Sequence, residues 1–186
     1  MIFSGEERIE ADIGVVWAAL HDPDLLTKTV PGCRSMTPMG DNSYLVTVSL
    51  GVAAVRGDYE GKVKVIDAKA PTHYRVEGGG SGAPGFVKVK AECWLEQQGG
   101  ETFVRWQCDA EVGGLIAGIG GRVLSGTSKF LAKQFFNDLR RELKTRQESG
   151  AALSFSTGRA SQRAQRSWFG RLVSFLKHWL LGQRAH

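Results

Sequence analysis

The chain has 186 residues, enough for one well-buried domain and short for two. With 42 % hydrophobic and 23 % charged residues it has the composition of a globular protein, which excludes wholesale disorder. The net charge of +5 is unevenly placed: residues 1–148 hold 18 Lys and Arg against 19 Asp and Glu, whereas residues 149–186 hold six Arg or Lys and no acid, so the basic character belongs to a tail and a broad nucleic-acid-binding face is not expected on the domain.

The stretch "IFSGEERIEA" alternates loosely and reads as a first strand. Asp12 then caps "DIGVVWAAL", where Ile13, Val16, Trp17 and Leu20 lie at helical spacing. Asp22 followed by Pro23 repeats the start signal for a second short helix, "PDLLTK", which stops before Pro31-Gly32. Strands follow in "SYLVTVSL", "RGDYEGKVKVIDA", "HYRVEG", "GFVKVKAECWLEQ" and "ETFVRWQCDAEV", separated by turn chemistry in "GDN", "KAPT", "GGGSGAP" and "QGG". The last two alternate cleanly, with Val87, Val89, Ala91, Cys93, Leu95, Val104, Trp106, Cys108, Ala110 and Val112 on one face and charged or amide side chains on the other. Such a sheet is apolar on one side and wet on the other.

A helical pattern then runs from about Leu115 to Arg146, with Leu124, Ser128, Leu131, Phe135, Leu139 and Leu143 recurring every three or four residues. The one-sided sheet is the apolar partner this helix needs. The expected fold is therefore α+β of helix-grip type: a curved antiparallel sheet and two short helices wrapped around a long C-terminal helix, with a flexible amphipathic tail beyond. The domain is expected over residues 1–147, a linker over 148–164 and a tail helix over 165–183.

Small residues (Ala91, Cys93, Cys108, Ala110) stand mid-strand where a solid core favours Leu, Ile or Phe, and "VGGLIAGIGGRVLSG" places six glycines around the start of the long helix at a cost of about 1 kcal/mol for each helix-interior glycine. A pocket beneath the helix accounts for both features, and so does close backbone packing of helix on sheet; composition leaves the two open. On the pocket reading the walls are Trp17, Val46, Val48, Val63, Val65, Tyr74, Val76, Phe86, Val87, Val89, Ala91, Cys93, Val104, Trp106, Cys108, Ala110, Leu115, Ile119, Leu124, Leu131 and Phe135. "YRVEGGGSGAPGFVKV" lacks the order of a phosphate loop and does not lead into a helix, so it reads as a strand-end loop that bends the sheet or as a flexible pocket entrance.

Catalytic and metal signatures are missing. The four histidines sit in no metal-ligand spacing, and Cys33, Cys93 and Cys108 form no C-x-x-C pair. Cys33 has no identifiable base beside it and reads as inert, while Cys93 and Cys108 serve as small apolar linings. The expectation is a binding protein with no enzyme activity, no metal and no covalent cofactor. The opening residues show no cationic segment leading into an apolar one, which together with the odd cysteine count points to the cytoplasm.

The stretches "WAALHDPDLLTKTVPGC", "VSLGVAAVRGDYEGKVKV", "GGGSGAPGFVKVKAECWL", "DAEVGGLIAGIGGRVL" and "AKQFFNDL", in this order from Val16 to about Leu139, resemble the CoxG family of carbon monoxide dehydrogenase subunits, within the START-like helix-grip superfamily. The resemblance implies a hydrophobic cavity for a lipophilic ligand, membrane association, and a molybdenum carbon monoxide dehydrogenase as partner. It implies no metal or flavin in this chain. Carbon monoxide oxidation must deliver electrons to the quinone pool, so an isoprenoid quinone, menaquinone or ubiquinone, is the expected ligand. A recruitment subunit with a solid core, docking the dehydrogenase through protein contacts alone, is the alternative.

The tail carries its own pattern. Trp168, Phe169, Leu172, Val173, Phe175, Leu176, Trp179 and Leu180 share a little under half of a helical wheel, opposite Arg171, Ser174, Lys177 and His178, with Leu181 misplaced. Charge on one face excludes spanning. An aromatic face opposite Arg171 and Lys177 suits a helix lying on an anionic lipid surface, at the inner face of the cell membrane. The Ser-, Ala- and Gly-rich linker, about 16 residues with a reach of roughly 20–24 Å, would tether it.

Overall fold

The computed structural model describes residues 1–52 and 55–148. The tail expectations, including Trp168, Phe169, Arg171, Leu172, Phe175, Leu176, Lys177, Trp179 and Leu180, lie outside the described residues.

Among those residues seven strands form one antiparallel sheet: β1 (Ile2–Ile9), β2 (Cys33–Gly40), β3 (Ser43–Leu50), β4 (Gly57–Lys69), β5 (His73–Gly82), β6 (Gly85–Gln98) and β7 (Glu101–Gly113), in the order β1-β7-β6-β5-β4-β3-β2. Two short helices, α1 (Ile13–Ala19) and α2 (Pro23–Thr29), connect β1 to β2, and α3 (Gly121–Glu148) closes the fold. The capping chemistry is as the sequence suggests. The Asp12 carboxylate accepts from the Gly14 amide, and that of Asp22 from the amides of Asp24 and Leu25, which satisfies donors that a helix start leaves free.

The sequence reading missed β2, and the end of β5 and the start of the long helix move. "CRSMTPMG" is an edge strand with irregular register against β3, and its Pro38 and mostly exposed second half hide the alternation that betrays inner strands. The glycines of "GGGSG" do not form a loop: β5 continues through Gly78–Gly82, paired with β4 from Val63 back to Tyr59. At Gly61 an added Cβ would lie 2.1 Å from the Gly79 carbonyl oxygen, so the two strands touch backbone to backbone at the bend. The long helix starts at Gly121; residues Gly114–Ile119 form a separate 3-10 turn.

Packing is concentrated at one end of the concave face. Ile9, Val16, Leu25, Val104, Leu139 and Leu143 are almost wholly buried, joining α1, α2 and the second half of α3 to β1, β6 and β7. Each such side chain contributes about 1.5–3 kcal/mol by leaving water. The two fully buried threonines are paired: Thr102 donates to the Ala11 carbonyl and Thr29 to that of Leu25. Ion pairs of Arg140 with Glu7 and of Arg146 with Asp22 fasten the same half of α3 to β1 and to the start of α2.

Candidate functional site

The inward face of β7 runs Val104, Trp106, Cys108, Ala110, Val112, and that of α3 runs, in reverse, Leu143, Leu139, Phe136, Ala132, Ser128, Leu124. Both series give way to small side chains past their largest one: Cys108 and Ala110 follow Trp106 on β7, and Ala132 and Ser128 follow Phe136 on α3. Where the large ones meet, the interior is solid. Where Ala110, Cys108, Ser128, Ala132 and the glycines of β4 and β5 meet, it is hollow: an apolar cavity of about 460 Å³ lies between the sheet and the first half of α3. The helix contributes Leu124, Thr127, Ser128, Leu131 and Ala132, the 3-10 turn Ile116, and the sheet wall comes from six of the seven strands.

Trp106 stands where the two halves join, packed on the solid core on one side and lining the cavity on the other. Its indole lies across Gly5, its partner on β1; a Cβ there would sit 2.8 Å from the ring, so glycine is needed. The indole N–H is buried and has no acceptor among the described residues. Behind Trp106, Trp17 stacks on His21 at 4.2 Å and meets the edge of Tyr74. His21 donates from Nδ1 to the Trp17 carbonyl at 2.8 Å, and burial lowers its pKa against the raising effect of that bond.

The cavity wall is overwhelmingly aliphatic. The polar residues on the wall are Tyr59, Glu60, Thr127 and Ser128; Glu60 is exposed and has the outward parity of its strand, and the Tyr59 hydroxyl already donates to the Val55 carbonyl at 3.0 Å. All three thiols are pushed up in pKa, each chiefly by burial: Cys33 at the start of β2, Cys108 on the cavity wall, and Cys93, beside Tyr74, to about 11. Thiols held in this way are poor nucleophiles at neutral pH. Among the described residues no group of three or more His, Cys, Asp and Glu side chains is placed to hold a metal ion, and no helix is long and apolar enough to cross a membrane.

Of the expected wall residues, Val46, Val48, Val63, Val87, Val89, Trp106, Cys108, Ala110, Leu124 and Leu131 line the cavity. Trp17, Val65, Tyr74, Val76, Cys93, Val104 and Phe135 do not; they belong to the packed half, because Phe136 and Leu139 of α3 fill the space in front of them. Phe86 and Leu115 point outward. Phe86 has the opposite strand parity to Val87 and covers Gly113, and the three-residue period of the 3-10 turn sends Ile116 inward and leaves Leu115 80 % exposed. Ala91 and Ile119 are half-buried and off the wall. The sequence reading missed Met1, Phe3, Leu50, Val55, Tyr59, Glu60, Gly61, Gly79, Gly80, Val112, Ile116, Thr127, Ser128 and Ala132. Phe3 reaches the wall because β1 pairs with the last strand, Phe3 opposite Cys108.

A conserved protein from Geobacillus kaustophilus is 33 % identical, the alignment covering 78 % of this chain and 97 % of that one with a TM-score of 0.77. A START superfamily protein from Mycobacterium smegmatis (10 % identity, 77 % and 97 % covered, TM-score 0.63) and a protein from Thermus thermophilus (11 %, 78 % and 98 %, 0.62) share the fold. The helix-grip architecture expected from the sequence is thus the observed one. No curated protein matched the chain. Residues 5–144 match the family of the carbon monoxide dehydrogenase subunit CoxG, and since that match spans most of the chain and nearly all of the described fold, the protein belongs to the CoxG family.

Proposed function

We propose that this protein is a carrier and adaptor: the cavity holds a lipophilic ligand, an isoprenoid quinone, and the chain couples a molybdenum carbon monoxide dehydrogenase to the membrane electron-transport chain, with the tail as a membrane contact at the inner face of the cell membrane. The observation that carries this reading is the cavity itself. At about 460 Å³ it lies within the range of ligand sites, roughly 300–1,000 Å³, and is about three times the ~150 Å³ of engineered apolar cavities that stay dry. Water inside would meet aliphatic side chains that return almost none of its hydrogen bonds. A long apolar guest would instead bury its own surface and that of the wall together, at about 25 cal/mol per Å².

A quinone suits the few polar features of the wall. Its isoprenoid chain matches the aliphatic strands, and its ring oxygens are acceptors for donors such as the hydroxyls of Thr127 and Ser128. The protein's part is binding and transport; nothing in the wall supplies a paired acid and base, and the family membership is that of a subunit beside the dehydrogenase. Organic extraction of the purified full chain followed by mass spectrometry tests the reading. Recovery of an isoprenoid quinone is the expected result. A chain that yields none, and binds none when quinone is added, overturns carriage and leaves the recruitment alternative.

A further inference from the structure

The two halves of α3 differ in how their charges are used. In the second half Arg140 pairs with Glu7, Arg141 with Asp138, Lys144 with Glu148 and Arg146 with Asp22. In the first half Arg122, Lys129 and Lys133 are exposed, and none has a carboxylate within ion-pair distance among the described residues. Indeed no acid stands anywhere between Glu111 and Asp138. The same outer face carries Val123 and Phe130, 49 % and 56 % exposed and two turns apart, and Leu115 stands in the adjoining 3-10 turn. Unpaired cations beside exposed large apolar side chains, on the helix half whose inner side roofs the cavity, are a combination for which the described residues supply no partner.

We infer that the outer face of the first half of α3, with Leu115, is a docking surface for an anionic lipid bilayer, additional to the tail. Charge selects this occupant. The tail residues 149–186 carry six cations and no acid, and a second copy of the face is itself cationic, so both are repelled. The remaining occupant must be negative at its surface and apolar just beneath it, which describes an anionic leaflet: Arg122, Lys129 and Lys133 meet the headgroups while Val123 and Phe130 enter the boundary region. The inference deepens the carrier reading, since docking through this face sets the helix that covers the cavity against the phase in which a lipophilic ligand dissolves.

The test uses the full chain with a photo-crosslinking phenylalanine analogue at Phe130, or, as a control on the outer sheet face, at the exposed Gln107, mixed with phosphatidylglycerol–phosphatidylcholine vesicles. Lipid adducts at 130 and none at 107 are expected. Lys129→Glu with Lys133→Glu should lower the adduct yield about tenfold or more at limiting lipid while leaving the unfolding midpoint unchanged, since both side chains are exposed. Three results would overturn the inference: no lipid adducts at 130, whether or not the chain is vesicle-bound; adducts indifferent to the charge reversals; or, when the dehydrogenase is added to the vesicle mixture, crosslinking at 130 to it in place of lipid. Failure of the carrier reading is read separately, because quinone added in detergent without vesicles to the wild-type and charge-reversed chains reports on the cavity and not on docking.

Discussion

Ala132→Leu and Ala19→Leu make the same chemical change in two helices and should have opposite signs. Ala132 lies on the cavity wall, whereas Ala19, 4 % exposed, is enclosed in the packed core. At position 132 three added carbons enter apolar space, with a ceiling of about 2.4 kcal/mol at about 0.8 kcal/mol each. Ordering the leucine side chain removes about 0.5–1 kcal/mol of that, and helix propensity is nearly indifferent to the change. The ligand-free chain should therefore gain about 1–2 kcal/mol. At position 19 the same atoms have nowhere to go, and overpacking should cost about 1–3 kcal/mol. Denaturant unfolding of the delipidated chain, with the m-value checked for constancy, measures both. Added quinone at a hundredfold excess over its Kd should raise wild-type stability by about 2.7 kcal/mol and the Ala132→Leu variant by less. If Ala132→Leu loses stability as Ala19→Leu does, side chains already occupy the space and the cavity argument fails.

Other consequences follow from single residues. Gly126 lies within α3, and an added Cβ would meet nothing within 4 Å, so Gly126→Ala should stabilise the chain by about 0.5–1 kcal/mol; a stiffer cover should also slow ligand exchange in a stopped-flow experiment. His21 has its folded pKa below the ordinary value near 6.5, so the unfolded chain takes up a proton first; the stability this contributes is complete above about pH 6.5 and is lost as pH falls through the folded pKa. Unfolding curves for His21→Phe should therefore decline less than those of the wild type between neutral and mildly acid pH, and parallel curves would show that His21 does not titrate on unfolding. Cys108 lines the cavity and Cys33 does not, so bound quinone should slow alkylation of Cys108 and leave that of Cys33 unchanged, as resolved by peptide mass spectrometry.

Much of the fold can be read from local chemistry. Asp12 and Asp22-Pro23 mark helix starts because a carboxylate there satisfies free amides, and the alternation from Val87 to Leu95 and from Val104 to Val112 marks strands that have one wet face. Edge strand β2 has no such signature, since neither its exposed tip nor Pro38 requires alternation. The hollow was foreshadowed by Cys108 and Ala110 among larger neighbours, but its limit was not. Whether Cys93 or Val76 meets a guest or a phenylalanine depends on which turn of α3 stands opposite, a tertiary register that no strand sequence contains. The glycines divide in the same way. Gly5, Gly61 and Gly113 are required by close approach, whereas Gly118, Gly120, Gly121 and Gly126 face open space, so close helix–sheet packing does not account for the latter set. Apolar periodicity cannot mark the polar wall residues Tyr59, Glu60, Thr127 and Ser128, which reach the cavity only through the placement of β4 and α3.

The carrier reading rests on the cavity accepting one lipophilic molecule. Titration of the delipidated full chain with a radiolabelled isoprenoid quinone, alongside the double variant Ala110→Leu and Ala132→Leu, measures this directly. Both alanines line the cavity. Saturation at one quinone per chain, abolished or strongly weakened in the folded double variant, is the expected result. Absence of saturable binding, or binding that the added leucines leave intact, would contradict the account.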